Sequence, residues 1–287
     1  MERTKIAPEY SEQYLEIDRP QTLSDNRIES LISDILNGGT DRDISDKVYK
    51  DFTALAKDHI LDNPVNRLLG LESYGRVDIC NGCTQFIDTL YMNHGSLQVI
   101  QGDYRYHTRL NPELVCSVPG NLIPKKPLVI ALPFPSLGAI HPQMKEILDE
   151  CLDKEIDVHI DGAWISCSHG INWDFSHMAI RSVAYSLSKG YGLGWNRVAL
   201  RHSRLAKPDA ITIMNDFHMN NRALFLISNH ILRNLPKNYL WDTHGVNYYK
   251  ICNDFNLQAT QSIHIAMRNN QPVGVAPLLR HMENNGI

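Results

Sequence analysis

Three short runs hold residues able to do chemistry. Lys189 lies in S-L-S-K-G-Y-G-L-G-W-N-R (186–197), between small hydroxyl residues and three glycines that let backbone approach a ligand, with Arg197 eight positions beyond it. A lysine amine can act as a nucleophile and, when free, as a general base, and an arginine fork suits a phosphate. Asp161 stands in V-H-I-D-G-A-W (158–164), a carboxylate at the end of an apolar strand with a small residue two positions on. Alone it reads as a loop cap; beside the other two runs it gains interest as a fixed anion. In C-N-G-C-T-Q-F-I-D (80–88), Gly82 and Thr84 precede the apolar pattern Phe86, Ile87, Leu90 and Tyr91. Such a turn opening a helix offers N–H groups and the positive end of the dipole to an anion, or is a plain N-cap with Thr84 bonding its own helix.

The elements that must position these runs form an α/β pattern. Leu128–Leu132 is a short apolar run, and Met144, Ile147, Leu148, Cys151 and Leu152 then recur at helical spacing. Ile156–Ile160 is a second strand ending at Asp161, so the unit is βαβ and implies a parallel sheet. Strand candidates Ser182–Tyr185 and Arg197–His202 bracket the lysine run, and Ser45–His59 has helical spacing at Val48, Phe52, Leu55 and Ala56. Ligands of open α/β sheets sit at the carboxyl ends of the strands, where all three runs fall. Beyond about Pro208 come a long helical stretch, Asp216–Arg233, a late strand at Ile263–Met267 and a final helix near Val275–Glu283. Residues 1–45 are polar and charged, with Gly38-Gly39 followed by D-R-D, and read as an arm that wraps a partner subunit. The expected division is an arm (1–45), a large α/β domain (46–205) and a small α+β domain (206–287).

Composition narrows the function classes. The 287 residues carry 28 Lys+Arg against 32 Asp+Glu, net −4, which gives no basic footprint for nucleic acid or an anionic membrane. A 43% hydrophobic share supports a real core. The longest apolar stretch, Pro127–Pro135, falls far short of the ~20 residues of a membrane span. The N-terminal residues lack the apolar segment of a signal peptide, and the six cysteines read as reduced thiols, so the expected setting is the cytoplasm and the expected partner a small molecule. Cys80 and Cys83 form a C-x-x-C with no second pair, and the 13 histidines show no H-E-x-x-H. His159 and His169 read as packed or surface residues, and no catalytic metal is expected.

The lysine run resembles the signature of the fold-type I, pyridoxal-phosphate-dependent aminotransferases of class I/II. In that family the lysine of a S-x-S-K run forms a Schiff base with the cofactor, and an arginine eight residues on grips its phosphate. The resemblance thus implies these roles for Lys189 and Arg197, implies a phosphate bond for Ser186, and makes Ser188 the small neighbour of the lysine. The D-x-A-aromatic run implies that Asp161 pairs with the pyridinium nitrogen, that Ala163 packs on the ring and that Trp164 faces the ring hydroxyl. Gly82, Cys83 and Thr84 would hold the phosphate, and Tyr104, with Tyr106 as the fallback, would stack on the ring. The resemblance spans roughly residues 75–205. It implies a three-layer α/β/α large domain with a mostly parallel sheet plus a smaller α+β domain, pyridoxal 5'-phosphate as cofactor, amino acid or amine and keto-acid substrates, and a homodimer.

The chemistry makes sense of these residue types. An amino-acid Cα–H is a very weak acid, and the protonated pyridine ring is the electron sink that makes its removal feasible. Asp161 would keep that nitrogen protonated, and Lys189, once displaced, would be the base over Cα. Three positions depart from the family pattern. Pro135 in L-P-F-P-S-L-G (132–138) stands where the family has an asparagine, and Trp164 stands where it usually has a tyrosine. Gln261 and Ser262 stand near the place of the arginine that clamps the substrate carboxylate, with Arg268 and Arg280 nearby and readable as surface residues. The expected activity is a ping-pong aminotransferase; the alternatives are a decarboxylase, lyase or oxidase on the same fold, or a catalytically silent relative.

Overall fold

In the computed structural model, residues 15, 22–38, 45–204 and 208–286 are described. From the N-terminal side the elements are α1 (Asn26–Leu36), α2 (Asp46–Leu61), β1 (Arg67–Leu69), β2 (Arg76–Cys80), α3 (Gly82–His94), β3 (Gln98–Ile100), α4 (Tyr106–Leu110), β4 (Val115–Ser117), β5 (Leu128–Ala131), α5 (Met144–Asp153), β6 (Val158–Gly162), β7 (Asn172–Asp174), β8 (Ile180–Ser186) and β9 (Ala199–Ser203). There follow α6 (Ala210–Asp216), α7 (Arg222–Asn234), α8 (Tyr239–Asp254), β10 (Gln258–Ala259), β11 (Ile265–Arg268), β12 (Gln271–Gly274) and α9 (Ala276–Asn284).

The short apolar runs become one seven-stranded sheet in the order β2-β9-β8-β6-β5-β3-β4. It is parallel from β4 to β8, and β9 alone runs against its two neighbours. Successive strand residues go to opposite faces, and here both faces are covered. Leu128 and Ile130 of β5, Val183 and Tyr185 of β8 and Leu200 of β9 belong to one core, while Val129, Ala184 and Ala199 belong to a second one with Phe86, Ile87 and Leu90 of α3. That alternation is the three-layer α/β/α arrangement, and it explains why β5 is apolar throughout rather than alternating. The β5–α5–β6 unit read from the sequence is present, with Leu128 paired to Val158 and Ala131 to Asp161.

Two readings change. Residues 22–38 are core rather than arm: α1 is amphipathic, Leu23 and Ile28 are fully buried in the main core, and Asp25 caps the helix by accepting from Ile28 N–H. Of the rest of the expected arm, Leu15 is half-buried against the main core and Ser45 caps α2 by accepting the Lys47 N–H, and the other residues lie outside the described ones. The helical stretch expected over 216–233 begins only at Arg222, as α7, and a separate shorter helix, α6, precedes it. α6 ends at Asp216, His218 adopts a positive φ of 54°, and Asn221 caps α7 by accepting from Ala223 N–H. α6 packs on β2 and α3, so the layers around the large sheet continue past residue 206, whereas α7 packs on α1 and α2. The C-terminal hairpin β10-β11-β12 is a separate antiparallel sheet, joined to the rest by α8 and α9.

Candidate active site

Asp161 is the next-to-last residue of β6 and sits on the face of the sheet that α3 covers, as His159 does two positions earlier, with its ring 6.4 Å from that of Phe86. Its Oδ1 accepts the Ala163 N–H at 3.0 Å, and Cys83 lies beside it with its thiol donating to the Ala184 carbonyl at 3.7 Å. Burial pushes the Asp161 carboxyl up to about 6, partly offset by the nearby Cys83 thiol, the Ala163 N–H bond and the charge of Arg197. A carboxyl this dry holds its proton more tightly than one in water, and its charged form would be stabilised by a cation beside it, which suits a ligand bearing a protonated nitrogen.

α3 opens at Gly82 without a side-chain cap from Asn81, whose own N–H donates to Gln85 Oε1 at 2.7 Å. Gly82 has a φ of +73°, and a Cβ there would lie 2.8 Å from Arg197 Nη2. Only glycine allows both the left-handed backbone and the guanidinium lying over it. Arg197 also donates through Nη2 to Thr84 Oγ1 at 2.5 Å. An exposed arginine, a threonine hydroxyl and the first amides of a 13-residue helix thus share one place, a cradle for an anion such as a phosphate.

Ser186 ends β8 and is buried. Its hydroxyl is tied to Ser188 Oγ at 2.8 Å and Val198 O at 3.0 Å and accepts Ser188 N–H at 3.0 Å, so its bonds hold the lysine turn together. Lys189 follows, half-buried, its charge felt by both Cys167 and His264. The glycines after it are filled by the chain itself rather than left open to a ligand. A Cβ at Gly190 would meet Ser166 O at 2.3 Å, one at Gly192 would meet Ile28 Cγ2 at 2.6 Å, and one at Gly194 would meet Thr22 Oγ1 at 2.8 Å.

The structure therefore gathers Gly82, Cys83, Thr84, Asp161, Ala163 and Arg197 at the carboxyl edge of the sheet. Trp164 stands next along, half-buried, its indole edge-on to His264 at 4.6 Å. Tyr104 is 43% exposed and stacks on Tyr106 at 5.8 Å, and the Tyr106 hydroxyl donates to Asp88 Oδ1 at 2.7 Å. Gln261 is spent on structure, accepting from Ile140 N–H and donating to Gly170 O, and the hydroxyls of Ser262 and Ser168 bond each other at 2.7 Å. Sequence reasoning missed Asp103, whose Oδ2 takes the Ala131 N–H at the end of β5 and whose Oδ1 takes the Tyr104 N–H. Its place in G-D-Y, just after the short β3 run ending Val99-Ile100, was the available signal. Cys167 and His264 were also missed, and nothing in their spacing, 97 residues apart, points to their contact.

No protein-family profile matches the sequence, and no curated protein is matched by it. Solved structures do match in fold. The alanine aminotransferase from Pyrococcus furiosus is 12% identical with a TM-score of 0.60, over 87% of this chain and 75% of that one. The histidinol-phosphate aminotransferase from Clostridium acetobutylicum is 11% identical with a TM-score of 0.55, over 93% and 99%. A PLP-bound C-S lyase from Staphylococcus hominis, complexed with L-cycloserine, is 9% identical with a TM-score of 0.60, over 95% and 89%. The chain has the fold of these aminotransferases and lyases.

Proposed function

We propose that the protein is a pyridoxal-phosphate-dependent aminotransferase acting on an amino acid or amine. The observation that carries this reading is the convergence of the buried Asp161 carboxyl with the Gly82–Thr84 helix start and Arg197, at the strand ends of this fold. The bound cofactor would supply an electron sink for the carbanion formed at the substrate Cα. Arg197, Thr84 Oγ1 and the first amides of α3 would hold its phosphate, and Asp161 would hold a proton on its ring nitrogen. Ala163 and Trp164 would line the ring, with Tyr104 the expected stacking partner and Ser186 and Ser188 shaping the turn that presents Lys189. Lys189 Nζ would attach the cofactor covalently and, when freed by the substrate amine, move the proton at Cα.

Among the described residues no helix is long and apolar enough to cross a membrane. We include in the reading a homodimer, a cytoplasmic setting, and a division into a large domain that takes in α6 and a small C-terminal domain, in place of a boundary at 205/206. Trp195, 97% exposed on the loop between Lys189 and Arg197, supports the dimer, because an aromatic at the rim of a site is what a second subunit would cover. A C–S lyase is the second reading, favoured by the fold match to lyases as well as transaminases.

The test is the visible absorption of the protein mixed with pyridoxal phosphate, with Lys189→Ala alongside, before and after a panel of amino acids. The expected result is a band that needs Lys189 and is converted by some amino acid to the amine form of the cofactor, with release of a keto acid. Release of pyruvate, ammonia and a thiol from a cysteine conjugate would favour the lyase. A Lys189→Ala protein that turns over substrate at the wild-type rate would overturn both.

A further inference from the structure

Asp103 lies in the turn that follows β3, one residue before Tyr104. Its N–H closes that turn on the Ile100 carbonyl at 3.0 Å, and its carboxyl bonds two separate segments of backbone. Oδ1 accepts the Tyr104 N–H at 2.6 Å, and Oδ2 accepts the Ala131 N–H at 3.0 Å. The β3–β5 ladder ends at Val99 and Val129, so the Ala131 N–H lies beyond its last rung and is taken up by this side chain instead. Ala131 is in turn the register partner of Asp161, whose carbonyl accepts the Leu132 N–H at 3.0 Å. The turn is packed against the loop after β5: Gly102 has a φ of +93°, and a Cβ there would lie 2.9 Å from Ser136 Oγ. The Tyr104 ring meets those of Tyr106 at 5.8 Å and His107 at 6.4 Å, and the Tyr106 hydroxyl ties α4 to Asp88 of α3. The Asp103 carboxyl ties the same segment to the sheet. Only a carboxylate can accept from both N–H groups through its two oxygens, because an amide would turn an NH2 toward one of them.

We propose that Asp103 is a positioning residue of this site: its carboxylate bridges the Tyr104 and Ala131 N–H groups and so sets where the Tyr104 ring stands relative to Asp161. The inference rests on the reading of the site as a pyridoxal-phosphate site with Tyr104 as the stacking partner, and it adds a residue that acts through that ring alone. Ring stacking changes binding by about 3- to 10-fold, which bounds what Asp103 can contribute through Tyr104.

The dissociation constant of pyridoxal phosphate is read by fluorescence titration of the cofactor-free wild type, Asp103→Ala, Tyr104→Ala and the double variant. Each single variant is expected to bind about 3- to 10-fold more weakly, and the double variant to bind as Tyr104→Ala alone does, because the effect of Asp103 passes through the ring. Asp103→Asn, which can still accept one of the two N–H groups, should recover part of the loss. Amide exchange at Tyr104 and Ala131 in the cofactor-free protein should be faster in Asp103→Ala than in the wild type, which reads the two bonds without the cofactor. Wild-type affinity in Asp103→Ala or in Tyr104→Ala, an Asp103→Ala loss that persists in the Tyr104→Ala background, or unchanged exchange at both amides would overturn the proposal. A wild type with no Lys189-dependent band would overturn the cofactor reading and this role with it, the exchange comparison still showing whether the bridge exists.

Discussion

Asp161→Asn in the cofactor-free protein tests whether this carboxyl is as dry as the structure makes it. Burial carries the group from its ordinary 3.8 to about 6. That difference corresponds to roughly 3 kcal/mol of stability, to within a factor of two. The folded state holds the proton more tightly than the unfolded one. The favourable contribution is therefore fully present below about pH 4 and is lost as pH rises through about 6. Wild-type stability should fall across that window. Asparagine has the same shape, keeps an oxygen to accept the Ala163 N–H, and carries no charge. The variant should match the wild type near pH 4 and exceed it at pH 8 by up to roughly 3 kcal/mol. Urea denaturation at pH 4.5, 6 and 8 reads this directly, with the difference between the two proteins cancelling other titrating groups except Asp103, on which the Asp161 charge acts. Repeating the comparison in an Asp103→Asn background removes that coupling. Pyridoxal phosphate should reverse the order at pH 8, stabilising the wild type more than Asp161→Asn, because a pyridinium needs the carboxylate. A gap between the two proteins that does not change with pH would refute the reasoning, since it would mean that Asp161 titrates as if in water.

Other perturbations have equally definite outcomes. Arg197→Ala should weaken pyridoxal phosphate binding by about 10- to 100-fold in a fluorescence titration, the loss of charge-assisted bonds to a phosphate, with little change in Tm. Gly190→Ala puts a Cβ 2.3 Å from Ser166 O, a backbone atom that cannot turn aside, and should lower stability by about 2 kcal/mol or more in thermal unfolding. Asp25→Ala removes the carboxylate that receives His244 Nε2 and the Tyr239 hydroxyl, each at 2.7 Å, and should destabilise by about 3 kcal/mol, measured by denaturant midpoint.

The parallel β5–α5–β6 unit and strand β8 were legible because each is a local pattern: an apolar run, a helical period, a polar residue at the strand end. Asp161, Gly82, Thr84 and Arg197 were legible as a set for a related reason, since each lies at the junction of two recognisable elements. The break at His218 was not legible, because the apolar spacing continues through it and only backbone conformation marks it. α1 was read as an arm because its polar face dominates the composition, although Ile28, Leu31, Ile32 and Ile35 keep a helical period. His264 and Cys167 meet only through the tertiary fold. The glycines after Lys189 were misassigned for a simpler reason: a glycine announces that something comes close, not what.

What comes close is the chain's own N-terminal side, and this bears on how the lysine is held. Thr22, Ser24 and Ile28 lie directly against Gly192 and Gly194, so the segment entering α1 is packed onto the loop between Lys189 and Arg197. That segment is itself anchored from the far end of the sequence. Asp25 bonds His244 and Tyr239 of α8, and Asn26 N–H donates to Glu283 of α9. A loop with three glycines would by itself sample many conformations and present its lysine and arginine loosely. Clamped on one side by the 22–28 segment and on the other by Ser166 and the Ser186–Ser188 bonds, it has few left. The glycines thus permit close packing that restricts the loop they would otherwise loosen. The eight-residue separation of Lys189 and Arg197 becomes a fixed distance only because residues remote in sequence close over it.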